Sequence, residues 1–238
     1  MFFGPIVDED TQGWVIDSFE WAIENGLLLS ETQLIAANAQ NFPAIQGAHE
    51  DVSRALVEAV QRHLGIVDQI IAVRPLDVLP PEYRYDPNAM GEVAGTWDSD
   101  GSDAVVTYDP AQQARPLAFL STMVHEVMHH RLHMTALDMP GGFEAEELST
   151  DLQCITAGFG AIQMSGAEQA GWQGYLRQET RAFAMAVFMA ITGTSDDAVR
   201  ALLPKRSFKL VRKAAKLLDG WSADIADLRG KLGRREIP

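Results

Sequence analysis

The chain contains a single cysteine, Cys154, in 238 residues. That excludes an internal disulfide and any zinc site built from several thiolates, and leaves Cys154 to be read as a small buried apolar side chain. Long hydrophobic runs are missing as well. No stretch reaches the roughly 18 apolar residues of a membrane span. The most apolar one, residues 182–191, is too short and is preceded by Arg177, Glu179 and Arg181. The opening Met1-Phe2-Phe3-Gly4-Pro5 has neither the basic region nor the apolar stretch of a signal peptide, and acids arrive by Asp8. A soluble, cytoplasmic protein is the expectation. Positive charge is scarce too, with 19 Lys and Arg against 33 Asp and Glu for a net charge of -14. Phosphate-dominated binding wants a basic face, so nucleic acid is not an expected partner.

What the chain does have is an ordinary globular composition and enough length to bury one substantial core. Its charge is unevenly spread. Residues 1–204 carry 9 Lys/Arg and 29 Asp/Glu, a net of -20, whereas residues 205–238 carry 10 and 4, a net of +6. This predicts a main domain over 1–204 and a basic helical segment over 205–238 packed on the same domain. Lys205, Arg206, Lys209, Arg212, Lys213 and Lys216 read as a solvated helix face, with an acidic partner or anionic membrane as the alternative.

Apolar periodicity predicts helices over residues 11–25, 49–64, 117–133, from about 144 through Ile162, 176–191, 196–203 and 208–218. In the second, Val52, Leu56, Val60 and Leu64 recur at intervals of four; in the fourth, Leu148, Leu152, Ile155, Phe159 and Ile162 form a stripe. The β-branched run 67–73 predicts a strand, and the proline-rich run 75–87 an extended loop. Residues 92–97 and 104–108 flank a turn-forming Asp98-Ser99-Asp100-Gly101-Ser102-Asp103, which predicts a hairpin. A calcium loop there would need a glutamate at the twelfth position, and none is present.

Within the helix at 117–133 stands His125-Glu126-Val127-Met128-His129. Side chains four apart lie one above the other on a helix, so two imidazoles can grip one metal ion while Glu126 projects beside them as a general base. The bland alternative is a partly exposed helix with polar histidines. His133 lies roughly 12 Å of helix beyond His125 and cannot share that ion. The compact pattern with glycine at 132 and histidine at 135 fails, because those positions hold Leu132 and Thr135, so the chain is not a metzincin. Glu147, near the start of the next helix and after the reversal permitted by Pro140-Gly141-Gly142, is the candidate third ligand. Asp151 follows one turn later and is the candidate acceptor for the free N–H of a ligand histidine. Acid enrichment at a helix N-terminus is the competing reading, accepted here for Glu144 and Glu146.

His125-Glu126-x-x-His129 followed by Glu147-x-x-x-Asp151 resembles the gluzincin type of zincin-like metallopeptidase. Thr107-Tyr108-Asp109-Pro110, His125 through Leu132, Thr150-Asp151 and Gly158-Phe159-Gly160 resemble an uncharacterised family of bacterial proteins carrying such a site, with looser similarity from the Trp14 region to about Gly193. The resemblance implies an α+β, zincin-like fold, mainly helical, with a small, mostly antiparallel sheet beside the motif helix. It implies Zn²⁺ held by His125, His129 and Glu147, with Glu126 taking a proton from water and handing it to the leaving amine of a peptide or protein substrate. The alternative is a non-catalytic, metal-stabilised or protein-binding module that retains the fold. The strand at 104–108 could add an extended peptide at a sheet edge or be internal. Tyr175, His130, His133 and Arg177 are candidate oxyanion donors without a spacing argument.

Overall fold

The computed structural model describes residues 5–42, 49–76, 95–99, 104–133, 135, 138–172 and 174–234. It is an α+β protein, mainly helical, with one small three-stranded sheet among the described residues. The chain divides into two compact units.

One unit contains α1 (Glu9–Glu24), α4 (Glu146–Cys154), the start of α5 (Gly160–Gln169), and α6 (Gln178–Thr192), α7 (Asp196–Leu202), α8 (Lys205–Ala214) and α9 (Ser222–Arg234). Its centre is α6, in which every residue from Thr180 to Phe188 is buried. A helix that is apolar on all sides must be covered on all sides. Helices α1, α8 and α9 pack on it, and Phe19, Phe159, Phe183 and Phe188 fill the core around it. The run at 182–191 is thus a core helix, and no helix among the described residues is long and apolar enough to cross a membrane.

The predicted stripe on the fourth helix is buried from Leu152 onward, while Leu148 is exposed in the first turn. Between α4 and α5 the chain makes a π-type turn, Ile155–Phe159, with Gly158 at φ 93°. Residues 33–35 run against this turn: Ile35 donates its N–H to the Gly158 carbonyl at 2.9 Å, and a Cβ on Gly158 would lie 2.4 Å from the Gln33 carbonyl oxygen. Both the positive φ and the close approach demand glycine.

Helix α9 falls within the basic helical segment expected over 205–238, although the periodicity does not mark it as a separate helix. Its buried side chains are only Ile225, Leu228 and Leu232, a sparse pattern interrupted by Gly230, which periodicity alone does not single out. Basic residues of the last segment meet acids of the same unit: Arg212 pairs with Asp196, and Lys231 with Glu20 and Asp227. These partners, hydrogen bonding first, raise the Lys231 pKa above the ordinary lysine value.

The other unit contains α2 (His49–Leu64), β1 (Ile71–Pro75), β2 (Gly95–Ser99), β3 (Ala104–Tyr108), α3 (Pro116–Leu132) and residues 166–174. The strand order is β1-β3-β2. β2 and β3 pair antiparallel from Gly95↔Tyr108 to Ser99↔Ala104, as expected of the hairpin; residues 100–103, most of its turn, lie outside the described residues. β1 pairs parallel to β3, from Ile71↔Ala104 to Pro75↔Tyr108. The sheet is therefore mixed rather than mostly antiparallel. β1 precedes the hairpin and joins its second strand, which runs in the same direction.

Two further expectations shift. The first strand begins at Ile71, leaving Val67 and Ile70 exposed. The Gln61 side chain donates to the carbonyls of Ile66 and Gln69, which commits the start of the apolar run to a turn. On α2, Val60 is buried, but the rest of the buried set is Ser53, Val57, Ala59 and Gln61 rather than Val52, Leu56 and Leu64. This helix packs on both α3 and β1, so its covered face is wider than one stripe and turned from it. Pro75 ends β1, and residues 77–87 of the proposed extended loop lie outside the described residues.

The Gly158 geometry has a measurable consequence. Gly158→Ala is expected to destabilise the protein by about 2–3 kcal/mol through the forced positive φ and the carbonyl clash. Chemical denaturation of the two proteins checks this, and equal midpoints would contradict it.

Candidate metal centre

Helix α3 carries the motif, and its start is fixed from within its own unit. Pro116 occupies the first turn, and the next two backbone N–H groups, of Leu117 and Ala118, donate to the Gln169 side-chain oxygen at 2.9 and 3.0 Å. A side chain from a distant position thus satisfies donors that every helix start leaves open. Two turns on, His125 and Glu126 are 8% and 6% exposed. Their burial follows from the apolar neighbours Val124, Val127 and Met128, each fully buried on the same helix.

The four-residue spacing brings the two motif histidines together. Nε2 of His125 and Nε2 of His129 are 3.1 Å apart, with the rings nearly perpendicular at 81°. Two nitrogens each about 2.05 Å from a tetrahedral ion would be separated by about 3.3 Å. The two nitrogens thus face each other at a separation close to that of a pair sharing one metal ion. The same separation lets one ring donate its N–H to the other. Glu147, the expected third ligand, stands in the first turn of α4, in the other unit. Two neutral imidazoles and one carboxylate form a donor set suited to zinc.

Glu126 packs against the sheet. A Cβ on Gly95 would stand 3.1 Å from Glu126 Cγ, 2.9 Å from the Thr107 carbonyl oxygen and 3.0 Å from Thr122 Cγ2. Glycine at the start of β2 is what lets this edge strand lie against the motif helix beside the candidate base. β3 is the central strand, flanked by β1 and β2, so it is internal and cannot add a peptide; among the described residues the strand next to Glu126 with a sheet edge is β2.

One turn along α3, Trp97 of β2 covers the remaining histidines. Its ring lies nearly parallel to His129, 6.4 Å away at 10°, and 4.8 Å from the His133 ring. Its Nε1 donates to His130 Nδ1 at 3.3 Å. This fixes His130 as a neutral ring with its lone pair on Nδ1. Burial, followed by the neighbouring His133 charge, holds the His130 pKa below the usual imidazole value. Its Nε2 is buried with no hydrogen-bond partner among the described residues.

Asp151 lies on α4 one turn after Glu147. Its Oδ2 accepts from the backbone N–H of Tyr175 at 3.1 Å and of Leu176 at 3.0 Å, and from Arg181 Nη2 at 2.7 Å. Of the candidate oxyanion donors, Tyr175, Arg177 and His133 are exposed, and His130 is held by Trp97. Cys154 is fully buried, in keeping with an apolar role. Sequence reasoning missed Trp97, Gly95, Gln169 and Arg181. Arg181 had a signal: a lone cation in the apolar run 180–191 must find a buried acid. The others had none, because each acts across the chain from a distant position.

Compared with protein-family models, curated proteins and solved structures, the chain matches none. Its function is therefore argued from its own residues.

Gly95→Ala is expected to push β2 away from Glu126 and to destabilise the protein by about 1–3 kcal/mol, the ordinary cost of overpacking. Trp97→Leu, which removes the ring over His129 and the donor to His130, is expected to weaken any metal binding by His125 and His129 about tenfold or more. Thermal melts and competition with a chelating dye read the two effects, and unchanged values in both would contradict the packing described for β2.

Proposed function

We propose that the protein is a zinc-dependent amide hydrolase, with peptides or proteins as its substrate class. The observation that carries this reading is the facing pair of Nε2 atoms, 3.1 Å apart on one helix, with a buried glutamate at the adjacent position. His125 and His129 hold the ion, and Glu147 supplies the third ligand. Zinc in such a set acts as a Lewis acid that lowers the pKa of water towards ~7 and polarises a carbonyl.

The chain's own residues do the rest. Glu126 accepts the proton from the attacking water and returns it to the nitrogen of the leaving amine, so that the amide C–N bond breaks with no net change in the enzyme's protonation. β2, at the sheet edge beside Glu126, offers backbone groups to an extended peptide. A substrate strand there would run along the face that carries the base. Trp97 holds the His129 and His130 rings in place.

Metal analysis of the purified protein tests the ligands. Wild type is expected to hold about one zinc per chain, and His129→Ala and Glu147→Gln to hold far less. Full zinc retention by His129→Ala would reject the site. Glu126→Gln is expected to keep the metal and to lose about 100- to 10,000-fold in the cleavage rate of a peptide library. If the wild type binds zinc and shows no cleavage that Glu126→Gln abolishes, the fold serves as a metal-stabilised binding module instead.

A further inference from the structure

Asp151 and Arg181 are 3% and 2% exposed and form a buried ion pair. Around it the hydrogen bonds converge on one residue. Asp151 Oδ2 accepts the N–H of Leu176, and Arg181 Nη1 donates to the Leu176 carbonyl. The same carboxylate oxygen also takes the N–H of Tyr175. Leu176 is therefore held through both of its backbone polar groups, and Tyr175 through its N–H.

Stability is a poor explanation for these charges. Removing two ions from water is expensive, and a buried pair of this kind is often no more stable than apolar side chains of similar volume. The pair is also incompletely satisfied, because Arg181 Nε is buried with no hydrogen-bond partner among the described residues. What the planar guanidinium and the carboxylate supply, and apolar groups do not, is direction. Asp151 stands one turn after Glu147 on the same face of α4, and Arg181 stands in the first turn of α6. Each end of the pair is thus tied to a different helix, and between them the backbone of Tyr175 and Leu176 is threaded. Tyr175 itself is exposed, 56% of its surface facing solvent.

We propose that Asp151 and Arg181 are a positioning pair: they fix the turn of α4 that presents Glu147 relative to α6, and they hold Tyr175 in a set place beside that turn. The proposal rests on Glu147 being a metal ligand. It gives Asp151 a role through Arg181 and the 175–176 backbone, and makes Arg181 a positioning residue that acts through Asp151 and Leu176.

The double variant Asp151→Leu/Arg181→Met separates positioning from packing, because it removes both charges and keeps most of the volume. Its melting temperature is expected to match or exceed the wild type. Its zinc affinity is expected to fall about tenfold or more, and the amides of Tyr175 and Leu176 are expected to lose hydrogen-exchange protection while those of central α6 keep theirs. A folded double variant with wild-type zinc affinity and protected 175–176 amides would overturn the proposal. Should that variant not fold, Arg181→Lys carries the test: it keeps the charge and loses the fork, so zinc affinity is expected to drop several-fold and wild-type affinity overturns the proposal. A wild type that holds no zinc would overturn the metal-centre reading instead, and exchange at Tyr175 and Leu176 would still decide whether the pair positions that segment.

Discussion

Taking polar groups out of water is tolerable only where partners are built in, and this constraint shapes both units of the protein. On α3 an imidazole and a carboxylate are buried side by side among Val124, Val127 and Met128. An apolar residue at either position would have been simpler to pack. The helix period instead turns the liability into an arrangement, because the same four-residue spacing that buries His125 aims His129 at it.

Around that pair the unit supplies supports from distant positions of the chain. Gln169 closes the start of α3, Gly95 lets β2 lie against Glu126, and Trp97 stacks on His129 while bonding His130. Each contact limits the freedom of a ring or a carboxylate that would otherwise have several rotamers. Preorganisation of this kind is what separates a helix that happens to carry histidines from one that binds an ion with defined geometry. In the other unit the same constraint is met by a different device. There a carboxylate and a guanidinium bury each other and the polar backbone of Leu176, with α6 forming the apolar wall.

The extent to which the sequence was readable varied by element. The helices were legible because burial on one side imposes a period near 3.6, and long segments such as 116–132 repeat it often enough to be seen. The motif was legible for the same reason, since its two histidines are spaced by that period. Strand β1 was misplaced by a few residues because an apolar run says where burial is favourable and not where a turn intervenes. α9 was expected only as part of a basic helical segment and not as a helix with its own bounds, because three apolar residues suffice to dock a helix on α1 and α6 when the partners already exist. The direction of β1 in the sheet was beyond local reading, for it depends on which strand of the later hairpin it joins.

The sequence by itself determined the helix that carries His125, Glu126 and His129, the presence of Glu147 and Asp151 one turn apart on the next, and the hairpin that precedes them in the chain. These follow from backbone geometry repeated over a few residues. Tertiary structure alone decided that β3 is internal and β2 lies at the edge, that Trp97 covers the histidines, and that Asp151 is joined to Arg181. Which buried charges and rings meet is set by packing between segments far apart in the chain, and no local period encodes it.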